Sequence, residues 1–283
     1  MTPALSTHLF VQHRLTTVAL DKIQNAGFPL VEIFCARQHL DYHNLAQLGE
    51  LRHWFRDSGL KLHSLHMPMY TDDVWGRTGP NAVVNIAEME KSRRIASVDE
   101  IKRALEVAEQ IPCTYAIQHV GVGGEEFDER KLEAAFSSLE ELNLFARQRG
   151  VEVLLENIPN KLSSAERLNY FLGITHLRNG YCFDTGHAHI GAGVGHEFEL
   201  MKHRIRSTHI HDNDGERDIH LFPFLAEGGS IDWNGTMALL RSRPGQYVMM
   251  LELREAEGME PLLEKAAGVR ERLHGLGRTE EQE

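Results

Sequence analysis

The chain has 283 residues, 42% of them hydrophobic and 25% charged, which allows one large domain or two small ones and a sizeable buried core. A formal charge of −11 argues against a surface built mainly to hold nucleic acid, whose phosphates call for clustered Lys and Arg. No run approaches the ~20 apolar residues of a membrane span, and the N-terminus lacks the basic region and apolar stretch of a signal peptide.

The predicted elements alternate. His8–Val11 reads as a first short strand, and Thr16–Ala26 as a helix stopped by Gly27. Leu30–Cys35 follows as a buried strand, Leu45–Asp57 as a helix ended by Gly59, and Leu60–Pro68 as a third strand carrying His63 and His66. Tyr70–Ser97, with Gly76, Gly79 and Pro80, reads as an extended loop with little helix. Ser97-Val-Asp-Glu100 has the form of a capping box and would open a helix over Val98–Gln110. Thr114–Val120 is the fourth strand, Asp128–Arg149 an amphipathic helix closed by Gly150, and Val151–Glu156 the fifth strand. Then come the helix Ser164–Leu172, the strand Tyr181–Asp184, the short helix Glu197–His203 and the strand Ile205–His211. Asp232–Arg241 is a helix capped by Asp232, Gln246–Leu253 the eighth strand, and Glu260–His274 the last helix. Residues 278–283 form a charged tail expected to fray.

Eight strands alternating with helices, with no linker between halves, predict an α/β fold: a single (β/α)8 TIM barrel over residues 1–277. A doubly wound open sheet is the competing arrangement, but no GxGxxG follows the first strand. A barrel sets its active site at the C-terminal ends of its strands. Those ends carry His66, His119, Glu156, Asp184 with His187, His209 with His211, and Glu252; Asp218 and His220 follow in the loop after strand seven.

The segment Ser207–His220 packs three histidines and four carboxylates into fourteen positions. In an extended chain His209 and His211 share a face. Imidazole and carboxylate together are ligands for zinc, manganese or iron rather than calcium. The chain's 17 histidines point the same way. A lone histidine at a strand end is commonly an ordinary core or loop residue. Glu156 and Glu252 are harder to dismiss, because each ends an apolar run and a buried carboxylate costs several kcal/mol unless paired or metal-bound. Glu32, inside Leu30–Phe34, is read either as substrate-facing or as a buried carboxylate paired with an arginine. His63 is read as structural and on the opposite face from His66. Trp75 and Phe222-Pro-Phe224 are aromatics on loops near the expected mouth, open to a role as a substrate wall or as plain packing. Cys35, Cys113 and Cys182 form no CxxC pair and lie in apolar runs, which reads as buried reduced thiols in a cytoplasmic protein.

His66-Met-Pro68, Gln118-His-Val-Gly121, Leu155-Glu-Asn157, Phe183-Asp-Thr-Gly-His187, His209-Ile-His-Asp212 and Leu251-Glu-Leu253 resemble the motifs of the xylose-isomerase-like barrel superfamily. Sugar isomerases, epimerases and endonuclease IV-type enzymes share it. The resemblance covers nearly the whole chain. It implies one divalent metal held by Glu156, Asp184, His209 and Glu252, with His211 as the substitute for His209. In the isomerase and epimerase branch the metal binds a sugar's adjacent carbonyl and hydroxyl and stabilises an enediolate. Glu156 and Glu252 would move the proton there, and His66, His119 and His187 would contact the sugar. In the endonuclease branch three zinc ions cleave a phosphodiester. Its ligand sets would be His66, His119 and Glu156; Glu156, Asp184, His209 and Glu252; and His187, Asp218 and His220. The N-terminal half departs from the endonucleases, and no Arg/Lys stretch with interleaved aromatics is present to hold a phosphate backbone. No lysine stands at a strand end, unlike the hydride-shift isomerases. The family's Gly-Glu-Gly before Ile-Asp-Trp is Ala226-Glu227-Gly228 here, with Gly229 extra, which puts that loop's geometry in question. The expectation is therefore a metal-dependent isomerase or epimerase of a small sugar-like substrate by 1,2-proton transfer, with a multi-zinc hydrolase, and nucleic acid as its partner, as the alternative. The resemblance also implies a homo-oligomer.

Overall fold

The computed structural model describes residues 1–71, 82–243, 245–256 and 260–276. Trp75, the loop residues Gly76, Gly79 and Pro80, and the charged tail lie outside them.

Eight parallel strands make one sheet: β1 (Pro3–Ser6), β2 (Leu30–Phe34), β3 (Lys61–His66), β4 (Tyr115–His119), β5 (Glu152–Glu156), β6 (Gly180–Asp184), β7 (Ile205–His209) and β8 (Met249–Leu251). Each pairs with its sequence neighbours and β8 returns to β1, in the order β7-β6-β5-β4-β3-β2-β1-β8. The last seam, between β7 and β8, is joined by the parallel bridge Ile210–Leu251, where Ile210 N donates to Met250 O (2.8 Å) and Glu252 N to Ile210 O (3.1 Å). Around the strands run α1 (Thr17–Asn25), α2 (Leu45–Asp57), α3 (Lys91–Leu105), α4 (Val107–Gln110), α5 (Glu129–Arg147), α6 (Ala165–Gly173), α7 (Thr185–Ile190), α8 (Val194–Met201), α9 (Trp233–Arg241) and α10 (Leu262–Gly275). The fold is the expected (β/α)8 barrel. Among the described residues no helix is long and apolar enough to cross a membrane.

Alternation along the strands explains where the polar residues go. Side chains two apart share a face, and the inward positions read Ile117 then His119, Leu154 then Glu156, Cys182 then Asp184, Ser207 then His209, and Met250 then Glu252. Apolar or small residues fill the lower barrel, where Ile117, Leu154 and Cys182 pack together and Ala4, Val248 and Met250 form a second group. One step up, each of these five strands delivers an imidazole or a carboxylate.

Four expectations are corrected. His8–Val11 is not a strand: β1 is Pro3–Ser6, with Ala4, Leu5 and Ser6 in register with Leu30, Val31 and Glu32, and Thr7–Phe10 is a 3-10 turn capped by Ser6. Leu9 and Val11 are buried by loop packing, not by a ladder, so their apolar character is real and its reading as a strand is not. Helix α3 starts at Lys91 and Ser97 lies inside it, buried, with its Oγ accepting from Asn85 N (3.0 Å); tertiary contact overrides the local capping signature. His63 does not face away from the barrel interior. The register runs Val31–Leu62 and then Glu32–Ser64, so His63 is the extra residue of a bulge, and its Nε2 lies 3.3 Å from Ser207 Oγ on the opposite strand β7. Cys113 is only partly buried, whereas Cys35 and Cys182 are fully so; all three are free thiols.

Candidate active site

The ten singled-out residues converge at the C-terminal mouth of the barrel. Glu156, Asp184, His209 and Glu252, from β5, β6, β7 and the end of β8, bring one ligand atom each within 4.8 Å of one another, all buried. His209 Nδ1 lies 2.8 Å from Glu156 Oε1, 3.2 Å from Glu252 Oε2 and 3.9 Å from Asp184 Oδ2. Its other nitrogen, Nε2, stands 3.1 Å and 3.2 Å from the two oxygens of Glu32, whose Oε2 also accepts from Ser64 Oγ (2.7 Å). Glu32 is therefore buried and paired, but with a histidine; neither the arginine partner nor the substrate-facing alternative is found.

His66 and His119 reach Glu156 from the other side, with His119 Nε2 at 2.9 Å and His66 Nε2 at 3.5 Å from Oε2. His187 is aimed by its Nδ1 bond to Asn157 O (3.0 Å) and meets Asp218 Oδ2 through Nε2 at 3.2 Å. His220 Nε2 meets the other oxygen of Asp218 at 3.2 Å. His211 does not stand in for His209: beyond the end of β7 its Nε2 bonds Asp184 (3.1 Å), and it groups with His187, Asp218 and His220. Its ring lies against Gly186, where a Cβ would come within 2.1 Å of it, so only glycine in the Asp-Thr-Gly-His turn leaves room.

The sequence places these groups by local rules. Asp184 ends β6 and caps α7, accepting from His187 N (2.6 Å), so one residue both faces the cluster and starts the helix that carries His187. Asp212, the last residue of His-Ile-His-Asp, accepts from Asn213 N, Ser230 N, Ile231 N and Trp233 Nε1 (2.7 Å for the last) and organises the loop after β7. The extra Gly229 fits here: its Cα packs against the Asp212 carboxylate, which a Cβ would meet at 2.7 Å. Phe222 is buried and Phe224 packs on Trp233 and Arg272, so that pair is loop packing and not a wall of the site.

Charge balance inside the site is set by proximity. Burial alone would raise the Glu156 carboxyl, yet His209 and His119 hold it well below the usual range. Asp184 is likewise penalised by burial but lowered by His187 and His211. Burial works against protonation of His187, but Asp184 and Asp218 raise it well above an ordinary histidine; His220, beside Asp218, rises to about 9. Three carboxylates and an imidazole from four strands, facing one point with no lysine or arginine among them, are a donor set suited to zinc, manganese or iron. With Nε2 facing the Glu32 carboxylate, Nδ1 is the His209 nitrogen turned toward the other three donors.

A cavity of about 160 Å³ opens above Glu156 and Glu252. Its lining adds residues that strand-end reading missed: His8, Phe34 and Arg254. His8 was hidden by the misplaced first strand; with β1 ending at Ser6, it falls at the mouth. Phe34 stacks on His66 at 4.2 Å between ring centres.

The xylose isomerase-like TIM barrel family model matches residues 20–275. The uncharacterized protein y4fM of Sinorhizobium fredii is 26% identical over 207 residues, spanning 67% of this chain and 65% of its own length. Among solved structures, a D-tagatose 3-epimerase-like protein is 24% identical, with a TM-score of 0.71 over 96% of this chain and 100% of that one. The TTHB071 protein of Thermus thermophilus, from a crystal soaked with zinc chloride, is 26% identical, with a TM-score of 0.68 over 99% of this chain and 100% of its own.

Proposed function

Because the chain belongs to the xylose isomerase-like TIM barrel family, we propose that it is a divalent-metal-dependent isomerase or epimerase that moves a proton between adjacent carbons of a small sugar or sugar-like polyol. The observation that carries this reading is the convergence of Glu156, Asp184, His209 and Glu252 beneath a cavity of monosaccharide scale. The likeness to a D-tagatose 3-epimerase-like protein and to a protein studied with zinc supports it. Glu156, Asp184, His209 Nδ1 and Glu252 would hold the ion. A divalent ion there makes the C–H beside a carbonyl acidic by withdrawing charge from the oxygen.

The chain's own groups do the rest. Glu156 and Glu252 come from β5 and the end of β8 and both line the cavity, so a sugar seated above the cluster meets two carboxylates. One takes the proton and the other returns it. His66, His119 and His187 hold hydroxyls, and Phe34 shields the pocket from water. The free thiols suit a reducing compartment such as the cytoplasm.

The test is deuterium incorporation into a panel of ketoses in D2O by the metal-loaded protein. Incorporation that Glu252→Gln abolishes even when excess metal keeps the site loaded is the expected result; no incorporation into any ketose counts against the reading. The grouping of His66 and His119 on Glu156, and of His187, His211, Asp218 and His220 beside it, favours a second reading as a multi-zinc phosphodiester hydrolase. Nicking of an abasic duplex by zinc-loaded protein would establish that one instead.

A further inference from the structure

Among the described residues, one cationic side chain at the mouth has nothing to neutralise it. Arg254 follows Glu252 by two residues, and its backbone N–H donates to His220 O at 3.0 Å, which ties it to the rim. The side chain is exposed and lines the cavity with His8, Phe34, Met69 and Glu252. Among the described residues its guanidinium has no hydrogen-bond or ion-pair partner. The adjoining Glu255 instead lies 3.3 Å from His13. The other basic groups of the lining are histidines that already have partners: four face carboxylates, and His8 gives its Nδ1–H to Leu253 O at 3.1 Å.

Electrostatics makes that position informative. The chain carries −11 overall and the cavity floor holds several carboxylates, so an anionic ligand is repelled everywhere except beside a fixed cation. A guanidinium stays charged at all working pH values, and its fork takes a carboxylate or phosphate through two donors at once. The cavity, about 160 Å³, is small beside the ~300–1,000 Å³ of pockets that enclose drug-sized ligands. A sugar's reacting carbons fit within it, and a charged end group would emerge at the rim.

Building on the proton-transfer reading, we propose that the substrate is an anionic sugar, carrying a phosphate or carboxylate at the end remote from the reacting carbons, and that Arg254 binds that group. His8, with Nδ1–H committed to Leu253, keeps Nε2 as an acceptor for a neighbouring hydroxyl.

The experiment is calorimetric titration of the metal-loaded full chain with D-fructose, D-fructuronate and a fructose carrying a terminal phosphate. At least one anionic ligand should bind roughly 10- to 100-fold more tightly than fructose, the worth of a charge-assisted bond. Arg254→Met should erase that advantage without changing the affinity for fructose, and Arg254→Lys should keep part of it. Whichever anion gains identifies the group. Equal or absent binding of all three overturns the inference, as does an advantage that survives in Arg254→Met, which would place the anion on the metal. Deuterium exchange into the same sugars reports the proton transfer separately. An Arg254-dependent advantage without exchange in any of them leaves the anion site standing and removes the catalytic reading.

Discussion

Glu32 shows how a single buried side chain can set the chemistry of another. It is fully buried, and burial alone would raise its carboxyl, yet His209 beside it and the Ser64 hydroxyl hold it at about 2. By fixing Nε2–H of His209, it leaves Nδ1 turned to Glu156 and Glu252. Outer-shell carboxylates of this kind are typically worth about 10- to 100-fold in metal affinity. Glu32→Gln is therefore expected to weaken zinc binding by about that factor while the circular dichroism spectrum is unchanged; unaltered affinity in a titration would show that Glu32 is only packing. Strand alternation made the inward histidines and carboxylates legible from the sequence, because a period of two needs no tertiary knowledge. The partner of Glu32 was not legible: His209 lies 177 residues away, and only closure of the barrel brings the two together.

A second residue contributes to acid sensitivity away from the site. His39 is buried, with Nδ1–H donated to His13 O (2.5 Å), and burial lowers its pKa from 6.5 to about 4. The folded chain thus resists a proton that the unfolded chain accepts. The stability tied to His39 is complete above pH 6.5 and is lost progressively as the pH falls toward 4. The full shift corresponds to about 3 kcal/mol. Denaturant midpoints measured across that interval should fall steeply for the native chain and less steeply for His39→Gln; parallel slopes would contradict the assignment.

At the scale of elements, the loop between β7 and α9 carries the most instructive detail. Asp212 accepts four hydrogen bonds and is nearly fully buried, so its carboxylate ties together the two ends of the loop bearing Asp218 and His220. Asp212→Ala would strand several donors, each costing about 1–3 kcal/mol when buried. The expected outcome is a loss of about 3 kcal/mol or more in urea unfolding, with the barrel's secondary structure retained; a loss below about 0.5 kcal/mol, the size of an ordinary surface change, would mean the loop is held elsewhere. The helices α2, α5, α6 and α9 were legible nearly to the residue, because Asn44, Asp128, Ser164 and Asp232 cap them locally. The start of α3 was not, since Ser97 reads as a cap while its hydroxyl serves the distant Asn85 backbone. The first strand was misplaced for a related reason: Leu9 and Val11 are as buried as strand residues, and sequence reports burial more directly than pairing.

On the scale of the whole molecule, eight βα units make a closed ring whose C-terminal rim collects a histidine or carboxylate from most of its strands. The same architecture that supplies a packed lower core leaves the upper layer polar. In that layer, overlapping groups of donor atoms share Glu156, and the group of His187, His211, Asp218 and His220 lies beside them around one cavity. How many of these groups hold an ion separates proton transfer from phosphodiester hydrolysis. Elemental analysis of protein purified without chelator, and again after reconstitution, answers it directly. Proton transfer calls for one divalent ion per chain, lost in Glu156→Ala and His209→Ala. Three zinc ions per chain would contradict it in favour of hydrolysis, and no bound metal even after reconstitution would contradict both.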